Sequence, residues 1–235
     1  MYRVWSLDSG AGSGCPNYRG YDCIRKNQID WIGQEFNKIS KDDPSRGKGI
    51  LFMHIPIQEY LYMFNEGNIV GKAGEEICCQ AGNTGLFQVI KDTNGVDWIS
   101  SCHDHHNDFY GIYKGITMAY GRKTGYGQIG PNGLKKGARV FEISIDPHYQ
   151  VKTWIRQEDK SIDYQEEYID KPFIPQTQDY CCVQSDILRF LNYKLIMVIL
   201  LGITYFLADS LMFRQKQRGR INKNKDSKQC IVAVE

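Results

Sequence analysis

Three of the chain's five histidines fall within four positions, in the stretch Ser101-Cys102-His103-Asp104-His105-His106-Asn107-Asp108-Phe109. A fourth, His54, stands on a short apolar run, Ile50-Leu51-Phe52-Met53-His54-Ile55-Pro56. Neutral imidazole is a good ligand for Zn, Fe and related ions, so His54, His103 and His105 are the candidate metal ligands. Val96-Asp97-Trp98-Ile99-Ser100 reads as a strand running into the histidine block. If the backbone stays extended, His103 and His105 share one face and Asp104 takes the other, which suits two adjacent ions. His106 is the third histidine of the block. His148, the fifth histidine, carries no argument.

The elements that would hold these residues follow from the hydrophobic pattern. Tyr2 to Ser6 reads as a core strand ending in a turn at Gly10, so the chain opens as though inside a fold. Ile29, Ile32, Phe36 and Ile39 recur at helical spacing over Arg25 to Ser40. Gly49 to His54 is a continuous apolar strand of the kind buried on both faces, and strand, helix, strand implies a crossover connection. Short helices are expected over Ile57–Asn65 and Thr84–Lys91, and an exposed loop with a Cys78-Cys79 pair between them. Further strands are expected over Tyr113–Tyr120, Ala138–Asp146 and Tyr149–Arg156. The loop Gly121-Arg122-Lys123-Thr124-Gly125 lacks the spacing of a P-loop and no helix pattern follows it, so it reads as an ordinary connection.

With 235 residues, 42% hydrophobic and 24% charged, the chain has room for one sizeable core plus appendages. A net charge of +2 argues against a general nucleic-acid binder, and the charge is uneven. From Arg214 to Glu235 there are seven Lys/Arg against two Asp/Glu, so the tail is basic and the body mildly acidic. Eight cysteines occur without any C-x-x-C spacing, which excludes a zinc ribbon or thioredoxin motif and leaves the redox state open. The expected organisation is a histidine-bearing domain over 1–156, a polar linker or stalk over 157–190, a transmembrane helix over 191–213 and a basic tail over 214–235. Leu195 to Phe213 is apolar except for Asp209 and about long enough to cross a ~30 Å hydrocarbon core. The basic tail orients it: tail in the cytoplasm, histidine-bearing domain outside or in a lumen. No signal peptide precedes that domain in these residues, so the expectation is a single-pass membrane protein whose native form is longer.

His54-Ile55-Pro56 together with Cys102-His103-Asp104-His105 resembles the calcineurin-like metallophosphoesterases, and most closely their short purple acid phosphatase-type branch. There the second block runs Gly-His-Asp-His-x-Asn-Asp-Phe; here Cys102 replaces the Gly, while His103, Asp104, His105, Asn107, Asp108 and Phe109 match. Leu7-Asp8-Ser9-Gly10, the Gln28 to Phe36 helix and the Tyr120 to Tyr126 loop also fit, and the resemblance covers roughly Tyr2 to Pro147. It implies an α/β (α+β) fold, the C-terminal half of a two-layered β-sandwich flanked by helices. It implies a dinuclear centre of Fe, Zn or Mn ions, with His54 and His103 on one ion and His105 on the other, and makes His106, in the variable position of the block, the candidate for touching a substrate. The implied reaction is phosphoester hydrolysis, the ions activating a water and stabilising in-line displacement. The family's blocks Asp-x-His, Gly-Asp-x-x-Asp and Gly-Asn-His-Asp/Glu do not precede His54. Three histidines cannot satisfy two ions when a catalytic zinc alone takes three protein ligands. The implied sheet also lacks its first strands and should show an unpaired edge. Two readings follow: a membrane-anchored phosphatase completed by an N-terminal half or a partner chain, or a pseudo-phosphatase acting as a membrane-bound interaction protein.

Overall fold

The computed structural model describes residues 1–67, 69–127, 134–146, 148–165, 180–182, 197–198 and 201–208. The chain divides into two units, Met1–Gln184 and Ser185–Glu235. In the first, strands β1 (Arg3–Ser6), β2 (Gly49–Phe52), β3 (Ile69–Val70), β4 (Trp98–Ser101), β5 (Tyr110–Tyr113) and β6 (Ile116–Tyr120) form one sheet in the order β1-β2-β4-β6-β5-β3. β1, β2, β4 and β6 run parallel; β5 is antiparallel to β6, and β3 to β5. A second sheet holds β7 (Gly137–Ser144), β8 (Gln150–Gln157) and β9 (Ile162–Asp163), all antiparallel.

Helices α1 (Lys26–Asn37), α2 (Glu59–Asn65) and α3 (Leu86–Thr93) supply the apolar cover for one face of the larger sheet. α1 forms because Ile29, Ile32 and Phe36 recur on one stripe, all buried, and Gln28 Oε1 accepts the Arg25 N–H at its start, satisfying one of the orphan donors. Tyr60 of α2 reaches under the sheet, where its hydroxyl lies 3.1 Å from the Ile99 carbonyl of β4 and 3.0 Å from the Ala119 carbonyl of β6. On the opposite face Ile50, Trp98 and Ala119 pack against Tyr110, Phe141 and Val151, so the small sheet lies over the centre of the large one. The α/β class is therefore observed, with helices, sheet and second sheet as successive layers. The expected open edge is also there: β1 ends the sheet with β2 as its single neighbour among the described residues.

Three local expectations are corrected. The strand expected over Tyr113–Tyr120 is a hairpin, with β5 and β6 turning at Lys114 and Gly115, both at positive φ. The Glu66–Gly82 stretch is not simply exposed: β3 lies in it, and Ile69, Ala73, Ile77, Cys79 and Gln80 are buried. The linker expected from 157 begins instead as domain structure, since β9 pairs with β8 and Cys181 and Cys182 are bonded back to Cys79 and Cys78. Sequence pattern could not show this, because a two-residue strand and a covalent link over a hundred residues leave no local periodicity. Cys15 and Cys23 form a third disulfide, Cys102 is a free thiol, and Cys230 lies outside the described residues.

In the second unit, 197–198 and 201–208 are helical. Most of the expected 191–213 span, including Asp209, lies outside the described residues, as does the 214–235 tail. Among the described residues no helix is long and apolar enough to cross a membrane.

Candidate metal centre

The two histidine-bearing segments leave the sheet side by side, because β2 and β4 are adjacent and parallel. Their ladder continues past the strand ends: Met53 N–H donates to the Ser100 carbonyl, and Cys102 N–H to the His54 carbonyl at 3.0 Å. Ser9, fully buried just beyond β1, fixes the turn after β2, its Oγ accepting from the N–H of His54 at 3.2 Å and of Ile55 at 2.8 Å. This is what the Leu7-Asp8-Ser9-Gly10 block contributes. His103 Nδ1 and His54 Nε2 are thereby 3.4 Å apart, with the rings edge-on.

The extended-chain expectation for the histidine block does not hold. β4 stops at Ser101, and His103 sits in the left-handed region at φ 74°, uncommon for a side-chain-bearing residue. The cause is Asp104. It turns inward to accept hydrogen bonds from the Tyr120 hydroxyl at 2.7 Å and the Cys78 N–H at 3.2 Å. Burial pushes its carboxyl up to about 8. His105 is half-buried in the turn that follows. His54 is held below the usual imidazole range by burial and then by His105. His103 is lowered to about 4 by burial, then by His54 and His105. All three imidazoles therefore share one neighbourhood, and His54 and His103 favour the neutral, ligand-competent form.

The other residues of the block are scaffold. Asn107 Oδ1 accepts the N–H groups of Gly74 and Glu75, and Asp108 exchanges bonds with the Lys72 backbone. Asp108 is fully buried against Arg122, which also reaches Asp163 at 3.0 Å; Arg139 donates to the Asp108 carbonyl. Phe109 packs on Phe64 and Tyr120. Arg122 of the Gly121–Gly125 loop is thus a structural cation, which bears out the reading of that loop as a connection. Gly121 also answers the Cys102 substitution: a Cβ at 121 would stand 3.1 Å from the Cys102 sulfur, so the absent side chain makes room for the thiol. His106 is placed by its N–H to Glu75 and by the bare Cα of Gly74, where a Cβ would collide with the His106 carbonyl.

One wall of the site was missed from sequence. Tyr21 lays its ring edge-on to His103, with centroids 4.3 Å apart. Burial first, then Asp104 and Glu75, raises its hydroxyl pKa. Tyr21 also lines a hollow of about 420 Å³ with Arg19, Gln58, Leu61 and Tyr62. It lies in a Gly- and Pro-rich loop that offers no periodic signal, so nothing local marks it.

The donor set does not fit a dinuclear centre by itself. Among the described residues no group of three or more His, Cys, Asp or Glu side chains is placed to hold a metal ion, and the carboxylate within the block, Asp104, is committed to Tyr120 and Cys78. What these residues provide is a neutral imidazole pair at the ends of two parallel strands.

No protein-family model matches the chain. It is similar to three proteins of Arabidopsis thaliana. With "Probable inactive purple acid phosphatase 29" it shares 29% identity over 177 residues, 69% of this chain and 46% of that protein. With "Probable inactive purple acid phosphatase 28" the identity is 26% over 191 residues, 76% and 46% of the two chains. With "Probable inactive purple acid phosphatase 14" it is 26% over 177 residues, 68% and 44%. The class indicated by the histidine block is therefore supported by relatives: the chain resembles the calcineurin-like metallophosphoesterases. Within that class it resembles the purple acid phosphatase-type branch over about 70% of its length, while spanning less than half the length of the relatives it matches.

Proposed function

We propose that this chain is the histidine-bearing part of a metal-dependent phosphoester hydrolase of purple acid phosphatase type, contributing His54, His103 and His105 to a two-metal centre of Fe, Zn or Mn ions. The observation that carries the reading is the 3.4 Å approach of His103 Nδ1 to His54 Nε2 at the ends of adjacent parallel strands. Carboxylate and amide ligands must come from polypeptide other than the described residues, so no hydrolytic step is assigned to these residues alone. The domain is anchored through Leu195–Phe213 and lies outside the cell or in a lumen, with the 214–235 tail in the cytoplasm. Three disulfides support an oxidising compartment for it.

The test compares the 235-residue chain with the protein immunopurified from its source through the 214–235 tail. Metal content and hydrolysis of p-nitrophenyl phosphate are measured in both. The isolated chain is expected to hold less than one ion and to be inert. The source protein should hold two ions and lose turnover with His54→Ala or His103→Ala. Hydrolysis that survives both substitutions would sink the proposal. A second reading, a phosphate-ester-binding protein without turnover, is favoured by the word "inactive" in the names of the three relatives. It predicts an inert source protein that still binds inorganic phosphate, and loss of that binding with His103→Ala.

A further inference from the structure

Tyr21 is a wall shared by two spaces. Its ring lies edge-on to His103, and the same residue lines the hollow of about 420 Å³, a size usual for ligand pockets. The hollow therefore adjoins the place where a phosphoryl group would sit at His54 and His103. Three segments enclose it, and each is tied down. The loop carrying Arg19 and Tyr21 is closed by Cys15–Cys23, and the Tyr21 carbonyl accepts the Ala81 N–H at 3.1 Å. The Tyr18 ring of that loop lies against Gly82, where a Cβ would stand 2.7 Å from it. Cys79–Cys181 and Cys78–Cys182 bring the 180–182 segment into a second wall. The third is the start of α2, with Leu61 buried and Tyr62 exposed. A ligand entering such a space has little polypeptide left to order.

The chemistry left over in the hollow is of one kind. Among the described residues the Arg19 guanidinium has no ion pair or hydrogen bond, and the hydroxyls of Tyr21 and Tyr62 have no hydrogen-bond partner. No Asp or Glu among them lines the space. Gln80 is already spent, its side chain accepting the Ile24 N–H at 3.0 Å and donating to the Ile55 carbonyl at 2.9 Å. A free guanidinium with phenol hydroxyls beside it is a donor set for a carboxylate. The tyrosine rings and Leu61 suit a planar apolar body.

We infer that the hollow takes the organic part of an aryl phosphomonoester whose ring carries a carboxylate, with the ring beside Tyr21 and Tyr62, the carboxylate on Arg19 and the ester oxygen toward the His54–His103 pair. An alkyl phosphate would leave the rings and Arg19 without contacts. A nucleoside monophosphate brings a planar ring, but its only anion stays at the histidines and Arg19 again goes unpaired. The substrate class rests on the hydrolase reading given above; the aryl-carboxylate subsite rests on the hollow alone.

The test titrates 4-hydroxybenzoate, which has the ring and the carboxylate but no phosphorus, into the 235-residue chain and follows the backbone amides by heteronuclear NMR. Phenol and cyclohexanecarboxylate are titrated in parallel. Shifts are expected at Arg19, Tyr21 and Tyr62, with phenol and cyclohexanecarboxylate each binding about tenfold more weakly. Arg19→Gln should weaken 4-hydroxybenzoate about tenfold, and Arg19→Lys less. Tyr62→Leu, which keeps the bulk and removes the ring, should weaken it as well; both side chains are exposed, so the fold is not at stake. In the source protein, Arg19→Gln should lower the ratio of kcat/KM for 4-carboxyphenyl phosphate over phenyl phosphate about tenfold, a comparison in which the difference between the leaving groups cancels. An inert source protein sinks the hydrolase reading, and the titration then decides the subsite by itself. Absence of shifts at the three residues, equal binding of the three probes, full binding by both Arg19→Gln and Tyr62→Leu, or a ratio that Arg19→Gln leaves unchanged overturns the inference.

Discussion

Removing the two long-range disulfides one at a time should cost little, and removing both should cost a great deal. Cys78–Cys182 and Cys79–Cys181 close loops of sequence separation 104 and 102. A loop near 100 residues is worth about 4.7 kcal/mol in the chain-entropy description. The two values do not add, because each bond alone already closes nearly the same loop. With one in place, the other closes only the small ring made of the four cysteines, worth ~1–2 kcal/mol by the same relation. Cys78→Ser with Cys182→Ser, or Cys79→Ser with Cys181→Ser, should therefore each lower the unfolding free energy by ~1–2 kcal/mol. The four-serine variant should lose about 6 kcal/mol. Urea unfolding without reductant measures all four proteins. Equal and additive losses from each pair would refute the shared-loop reasoning. A four-serine variant within about 2 kcal/mol of the parent would show that the 180–182 segment is held by something other than its sulfur bonds.

Other expectations are open to the same kind of measurement. Asp108→Asn leaves the buried Arg122 with the partly exposed Asp163 as its one carboxylate partner among the described residues, beside the Lys135 carbonyl, and should cost about 3 kcal/mol in urea unfolding; a loss under about 1 kcal/mol would contradict the pairing described. At position 103 the left-handed backbone favours glycine, so His103→Gly should be more stable than His103→Ala by about 1 kcal/mol, and matching midpoints would show no strain there. Tyr2, Tyr60 and Tyr120 are each raised chiefly by burial. The folded chain keeps these three protons where the unfolded chain releases them. Stability is thus full below pH ~10 and falls above it, by about 1.4 kcal/mol per pH unit for each tyrosine. Urea midpoints between pH 8 and 11.5 check the sign, and a rise above pH 10 would reverse it.

The strands that carry the histidines were legible in the sequence because burial on both faces gives a run of apolar residues, as in Ile50 to Met53 and, more briefly, Trp98 and Ile99. α1 was legible because its stripe is regular. The His103 turn was not: side-chain alternation assumes an extended backbone, and the inward pull of Asp104 on Tyr120 and Cys78 breaks that assumption without altering the residue pattern. Ser9 and Tyr21 belong to loops, where position is set by what they touch across the fold and not by spacing. The family block is informative for two reasons that the structure separates. Its histidines meet at the strand ends, whereas Asp104, Asn107, Asp108 and Phe109 secure the loop that presents them.

The paired bonds at Cys181 and Cys182 also decide how the molecule answers a mechanical pull. Tension applied from the chain beyond Cys182 passes through sulfur into Cys78 and Cys79, and from there toward the N-terminus. Everything between those cysteines, from Gln80 to Tyr180, is a closed ring that cannot be drawn out while the bonds hold. β4 to β9 and the His103–His105 turn lie inside that ring. His54 and β1 lie outside it, so a stretched molecule would surrender its edge strand and one imidazole first and keep the rest of the block intact.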